Sequence, residues 1–527
     1  MAQLRPNNLT FILMHVLALF MIFTSKLAIA IGETLNIENF GANPNGETDS
    51  TNAILTTWAR ACSSTTPTTI YVPKGKFLVS DSVVFKGSCN NNDISVIIDG
   101  TLLANSNYDV IGNEESWLLF EDVDGVSIIG NGFLDGQGTS LWDCKRSGES
   151  CPMGATNLRF RNSNNIVING ITSLNSQMFH IVIDKCNNVK IQEVKISAAE
   201  NSPNTDGIHV ELSSSVNILN SNIATGDDCI SIGPGTTNLW IEDIVCGPGH
   251  GISVGSLGKE FEELGVEHVT VKTVKFIGTT NGVRIKSWGK PSNGFARNIL
   301  FQHVTMVNVQ TPILIDQNYC PARKDCPNQA SGIKISNIMY QNIHGTSATE
   351  VGVKFDCSPT NPCTGICLED VMLTYENQHG EPLSSYNNAL VQSNNCVVQP
   401  EPGEPTTSGT SMRAACEFRL EDQVIQFLTS LNDNFFIVKT QVLLMEPLPS
   451  INKVYYMVTQ EESNNVALLT QPDNVTISED SNTLINVAYD SRKSQDRGKG
   501  HASSFNGHGK KDCYCTYCNR RGHTIDT

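Results

Sequence analysis

Between Val126 and about Leu373, one short pattern of apolar and polar positions keeps returning. It consists of a β-branched or other apolar residue, a spacer, a second apolar residue, two polar residues and a third apolar residue. It reads Ile166-Val167-Ile168-Asn169-Gly170-Ile171, then Val189-Lys190-Ile191-Gln192-Glu193-Val194, then Leu239-Trp240-Ile241-Glu242-Asp243-Ile244. Further copies run from Val269 to Val274, Ile299 to Val304, Ile338 to Ile343 and Ile366 to Val371. Apolar residues at a period of two mark strands, and the Asn, Asp and Gly between them mark turns. Short strands without intervening helices exclude a βαβ architecture. A β-sandwich would not return one motif at coil length, whereas a solenoid does. The pattern predicts an all-β chain, a right-handed parallel β-helix.

Two regions depart from this period. Ile54, Trp58 and Ala61 share one face of a helical segment, Thr51 to Cys62, which predicts an N-terminal helical cap over the open end of the solenoid. Residues 401–415 form a linker rich in Pro, Gly, Ser and Thr. Beyond it Leu420, Val424, Phe427 and Leu428 have helical spacing, and Phe435 to Met445 and Ile451 to Glu462 also read as helices. The expected organisation is a signal peptide over 1–30, a β-helix domain over 31–400, the linker, a helical fragment over 416–470 and a disordered tail over 471–527.

The signal reading rests on Arg5, an apolar run from Leu9 to Phe23 and the small-x-small triplet Ala28-Ile29-Ala30. The run is short for a membrane span. Seventeen cysteines then suit an oxidising compartment, with Cys144/Cys151, Cys229/Cys246, Cys320/Cys326 and Cys357/Cys363 enclosing short loops. A net charge of −17 argues against nucleic acid as the ligand of the whole chain. It also requires any polyanion site to be locally basic.

The chemistry lies in four segments: Asn204-Thr205-Asp206-Gly207, Gly226-Asp227-Asp228, Gly249-His250-Gly251 and Arg284-Ile285-Lys286. Asp206, Asp228 and His250 each precede an apolar residue by two, and the steps between them are 22 residues each. That predicts one column, with rungs roughly 4.8 Å apart. Asp227 has the opposite parity and shares a cleft with Asp228 only if the chain bends there. Arg284 and Lys286 point outward, into the same groove, and Tyr319 can flank it. Crowded carboxylates repel, which raises one pKa and keeps that acid loaded. Glycoside hydrolysis needs this: one carboxyl protonates the leaving oxygen while another activates water. The two cations suit a sugar carboxylate.

In this order the four segments resemble the signature of glycoside hydrolase family 28, and within it the plant polygalacturonases. The likeness runs from about Asn36 to Val397 and includes Phe40-Gly41-Ala42, Asp316-Gln317-Asn318-Tyr319-Cys320 and Phe355-Asp356-Cys357-Ser358. It implies inverting hydrolysis of α-1,4-galacturonan, the backbone of pectin, without metal or other cofactor. It implies Asp227 as general acid and Asp206 with Asp228 as the pair that positions and activates water. Arg284 and Lys286 would bind the substrate carboxylate, with His250, Asn204 and Tyr319 in support. The expected protein is a secreted monomer of the extracellular space or cell wall, free of the membrane once the signal is cleaved. Rhamnogalacturonan hydrolysis, pectate lysis and non-catalytic pectin binding are the competing readings.

The C-terminal segment resembles instead a Gag fragment of a plant copia-type retrotransposon, in Phe427-Leu428-Thr429-Ser430-Leu431-Asn432, in Leu443 to Pro449, and in Cys515-x-x-Cys518-x-x-x-x-His523. The last is a zinc knuckle without its fourth ligand. Knuckles of this kind bind single-stranded RNA, but the incomplete ligand set and the secretion signal point to an inserted element or a misjoined reading frame. RNA binding is not expected of this chain.

Overall fold

The computed structural model describes residues 32–321, 324–375 and 382–393, together with 428, 435–443, 454, 458, 514–515 and 520–521. The signal peptide and the linker lie outside the described residues. The chain divides into two compact units, Met1–Met412 and Arg413–Thr527.

The first unit is a parallel β-helix. One sheet has 19 strands and the other 11, the latter running rung by rung from Val83–Lys86 to Leu383–Asn387. The repeated motif forms the larger sheet in the expected register. Ile166, Val189, Val216, Leu239, Val269, Ile299, Ile338 and Ile366 pair in succession as one column. All eight are buried, and each such side chain contributes about 1.5–3 kcal/mol relative to exposure.

The fifth motif position turns the chain. Glu193, Asp243, Thr273, His303, Asn342 and Asp370 all have φ between 52° and 56°, and Gly170 has φ 81°. One left-handed residue per coil bends the strand into its next segment. Asn, Asp and His enter that conformation most readily, and Gly does so without steric cost. Glu193 and Thr273 adopt it against their preference, held by the coils on either side.

The cap is a helix, α1, over Thr51–Ser63, with Ile54, Trp58 and Ala61 buried. Trp58 meets Phe85 and Phe120 edge-on, each with centroids 5.4 Å apart. Phe120 in turn stacks on Phe85 at 4.4 Å and on Phe160 at 4.8 Å. The cap thus seals the core by extending an aromatic ladder. A Cys62–Cys89 disulfide, not anticipated from sequence, anchors the end of α1. Nor was a second helix, α2, over Thr139–Ser147, which buries Leu141 and Trp142. The four expected short-loop disulfides are present. Cys367 is also disulfide-bonded, and Cys186 is free and buried.

In the second unit a helix, α3, spans Phe436–Leu443. Val438, Val442, Val454, Val458 and Leu428 form a small apolar cluster. Tyr514–Cys515 pairs antiparallel with Arg520–Arg521; Cys518 and His523 lie outside the described residues. No helix among the described residues is long and apolar enough to cross a membrane.

Candidate active site

The site lies on the outer face of the 11-stranded sheet. Ile208 pairs with Ile230, and Ile230 with Ile252. Asp206, Asp228 and His250 therefore head three consecutive rungs, as the 22-residue steps predict. Backbone bonds lock the heads together: Gly207 N donates to Asp228 O, and His250 N donates to Asp227 O at 2.7 Å. Thr205 Oγ1 accepts from Gly226 N, tying the Asn204–Asp206 turn to the next coil. The Cys229–Cys246 disulfide pins the acidic turn from behind.

The chain does bend at Gly226–Asp227, between strands Ser214–Ala224 and Ile230–Ile232. Both aspartates consequently reach one site with different surroundings. Asp228 is wholly buried: Oδ1 accepts from Ser253 Oγ and Arg284 Nη2, each at 2.8 Å, and Oδ2 accepts from Lys286 Nζ at 2.7 Å. Asp227 is 20% exposed. Its Oδ1 accepts from Asp228 N at 2.8 Å and sits 3.0 Å from His250 Nδ1. Its Oδ2 has no hydrogen-bond partner among the described residues.

Arg284 and Lys286 lie on the expected strand, Asn281–Trp288. Sequence parity sends both outward into an open groove, but the structure finds them only 11% and 8% exposed and joined to Asp228. The cause is the acidic turn, which folds its carboxylate beneath them. Each keeps spare donors: Arg284 Nη1 is unpaired among the described residues, and Lys286 Nζ spends one of three protons on Asp228. Tyr319 covers both, its ring 5.9 Å from Arg284 Cζ and 5.1 Å from Lys286 Nζ. Trp288 holds that ring edge-on at 5.5 Å.

These contacts separate the protonation states. Burial, reinforced by the carboxylates of Asp227 and Asp228, lifts the Asp206 pKa well above the usual carboxylate value. Burial pushes Asp228 the same way, but the charges of Lys286 and Arg284 outweigh it and its pKa falls below the ordinary value. Burial opposes the charge on Lys286, and Asp228 overcomes it, raising the ammonium pKa. The site thus holds one fixed anion, Asp228, beside a carboxyl, Asp206, that ionises less readily, a division suited to acid–base catalysis.

Asn204 is exposed and lines the same cleft as Asp206, Asp227, Lys286 and Tyr319, a space of about 530 Å³. Ser253 was missed from sequence. It bonds both Asp228 and Arg284 Nε, and its outward parity, in register with Arg284 one rung on, was the available signal. Asp227, Asp228 and His250 bring donor atoms within 4.8 Å of one another. As a metal site this set is poor: two fixed cations already hold Asp228, and His250 and Asp227 engage each other.

The sequence model of glycosyl hydrolases family 28 matches residues 62–395. The chain belongs to this family. It is therefore a glycoside hydrolase. It is 62% identical to a polygalacturonase of Prunus persica, over 73% of this chain and 97% of the relative. It is 42% identical to an exopolygalacturonase of Platanus acerifolia, over 68% of this chain and 94% of the relative. The solved exopolygalacturonase of Thermotoga maritima shares the fold, with a TM-score of 0.56 at 18% identity, over 69% of this chain and 91% of that one. This family 28 chain carries its fixed anion, Asp228, and the carboxyl with the raised pKa, Asp206, on adjacent coils beside Asp227, whose Oδ2 has no hydrogen-bond partner among the described residues.

Proposed function

We propose that this enzyme is a secreted polygalacturonase that hydrolyses α-1,4-galacturonosidic bonds of pectin with inversion. One observation carries the roles: of the four carboxylate oxygens of Asp227 and Asp228, only Asp227 Oδ2 is unpartnered among the described residues. Asp227 is the general acid, donating from that oxygen to the glycosidic oxygen, while Oδ1 is held by Asp228 N and His250. Asp206 and Asp228 position and activate the water: Asp228 anchors Arg284 and Lys286, and Asp206, whose pKa the Asp227 charge helps to raise, ionises more readily and takes the water's proton when Asp227 is the loaded acid. The spare donors of Arg284 and Lys286 take the carboxylate of the sugar, with Tyr319 and Asn204 beside it.

Inversion needs an argument, because the acid and base of an inverting pair typically stand about 6.5–9.5 Å apart, whereas Asp227 and Asp228 have oxygens within 4.8 Å. A retaining mechanism needs a free carboxylate nucleophile. Asp228 is wholly buried with both oxygens bound to cations, so attack falls to water. Proton NMR of the first-formed product decides the point through its anomeric configuration.

The activity is tested by incubating the chain with polygalacturonate. Hydrolysis releases reducing ends without ultraviolet absorbance. A 4,5-unsaturated product would establish a lyase instead, and binding without cleavage would leave a wall-binding protein. Five disulfides between described residues, together with the one at Cys367, support folding in an oxidising compartment. The protein acts as a monomer, and the Gag-like segment beyond the linker takes no part in catalysis.

A further inference from the structure

The cleft changes character along the rungs. An outward column runs His209, Ser231, Ser253, Arg284, one residue per coil. The cations sit at its Arg284 end. His209 is three rungs away, about 14 Å at the usual strand spacing, which exceeds the ~8 Å screening length of physiological salt. Charges on the His209 flank therefore act on a ligand beyond the screening length of Arg284.

That flank is acidic and apolar. Glu211, Glu260, Glu262 and Glu263 line the cleft there with Lys259, while Arg159 and Lys185 act on Glu211 from neighbouring coils and leave Glu260 unopposed. The His209 ring, 3.7 Å from the Glu211 carboxylate, holds Glu211 in its ionised form with a lowered pKa. The opposing wall is fixed. Glu263 accepts from Gly258 N and Lys259 N, and Glu262 accepts from Asn293 Nδ2. Asn293 N in turn bonds Phe261 O. Glu260 on that wall is exposed and has no hydrogen bond or ion pair among the described residues. Phe179, Leu212, Pro234 and Leu264 supply the apolar surface, with Phe179 packed on the His209 ring at 5.1 Å.

A free uronate placed on this flank meets like charge at Glu211 and Glu260. A methyl-esterified residue carries no charge, offers hydroxyls that a carboxylate accepts, and presents a methyl group to Leu212 and Leu264. We propose that the His209 flank takes an uncharged, methyl-esterified galacturonate residue while the Arg284–Lys286 end requires a free one. The preferred substrate is then partly esterified homogalacturonan, not the fully de-esterified chain. This rests on the polygalacturonase reading and specifies its substrate.

The test compares kcat/KM of the full chain on fully de-esterified and on randomly half-esterified homogalacturonan, at low and high salt. The wild type is expected to favour the half-esterified substrate, and added salt to narrow the gap by screening the repulsion. Glu260→Gln and Glu211→Gln should each shift the ratio toward the de-esterified chain by roughly two- to fivefold, the range open to a partly screened charge pair. A wild type that favours the de-esterified chain, with a ratio unmoved by salt or by either variant, overturns the proposal. Failure of the wild type to cleave either substrate overturns the polygalacturonase reading itself, and this inference with it.

Discussion

Lys286 Nζ lies 2.7 Å from Asp228 Oδ2, with both side chains out of water. Asp228 Oδ1 has Arg284 and Ser253, but Oδ2 has no partner besides Lys286 among the described residues. Removing the lysine leaves that buried oxygen unpaired, so Lys286→Ala should cost about 1–3 kcal/mol of stability, read by denaturant unfolding. The pKa of Asp228 is depressed, so its contribution is present above the unfolded carboxyl value and disappears as pH falls through the folded one. The gap between wild type and variant should close at strongly acidic pH.

Asp206 behaves in the opposite sense. Its raised pKa means that folding favours the protonated form, so stability is lost as pH climbs from the unfolded value toward the folded one. Asn mimics the protonated carboxyl. Asp206→Asn should therefore melt higher than wild type near neutral pH. It should show no gain at low pH and should lose most of its turnover. A variant that is active and no more stable contradicts this placing.

His180 sets an acid limit on the fold. It is wholly buried, its Nδ1 2.9 Å from Ser173 Oγ, and desolvation lowers its pKa to about 3. The unfolded chain takes up a proton near 6.5 that the folded chain refuses. Stability should consequently decline as pH falls from about 6.5 to about 3, by up to roughly 5 kcal/mol. His180→Gln should flatten that slope in a series of thermal melts at stepped pH. An unchanged slope would assign the acid sensitivity to other groups.

A chain truncated after Pro400 should melt and cleave polygalacturonate as the full chain does. The family match ends at residue 395, and 97% of the Prunus relative is covered by 73% of this chain. Linkers rich in Pro, Gly and Ser carry few packing contacts. Unfolding of the β-helix on truncation would make the C-terminal segment integral.

Much of this architecture was legible because solenoid register repeats. The column from Ile166 to Ile366 appears as alternating apolar positions, and the equal steps between Asp206, Asp228 and His250 revealed one face. The copy at Val216 escaped notice because Ser221 stands where the other copies carry an apolar third residue. Its hydroxyl instead accepts from Val194 N and donates to Leu219 O. Helix α2 was hidden by its brevity and polarity, and the Cys62–Cys89 pair by a separation of 27 residues that only the coil brings together. Parity placed Arg284 and Lys286 on the right face but could not show that Asp228 would fold under them. That depends on the bend at Gly226–Asp227, which no periodicity encodes.

Arg284→Ala illustrates the consequence. Loss of carboxylate binding alone would raise KM. Because Arg284 Nη2 also holds Asp228, the variant should lower kcat as well, and Arg284→Lys should recover only part of either, lacking the planar fork. Steady-state kinetics on oligogalacturonates separate the two effects.

The turnover of Asp227→Asn on polygalacturonate tests whether Asp227 is the proton donor. Asparagine keeps the Oδ1 contacts with Asp228 N and His250, but its amide at the second position cannot transfer a proton to the leaving oxygen. The kcat should fall by about 10²–10⁴-fold, with the melting curve unchanged. Turnover near that of the wild type would contradict the assignment of Asp227 as the general acid.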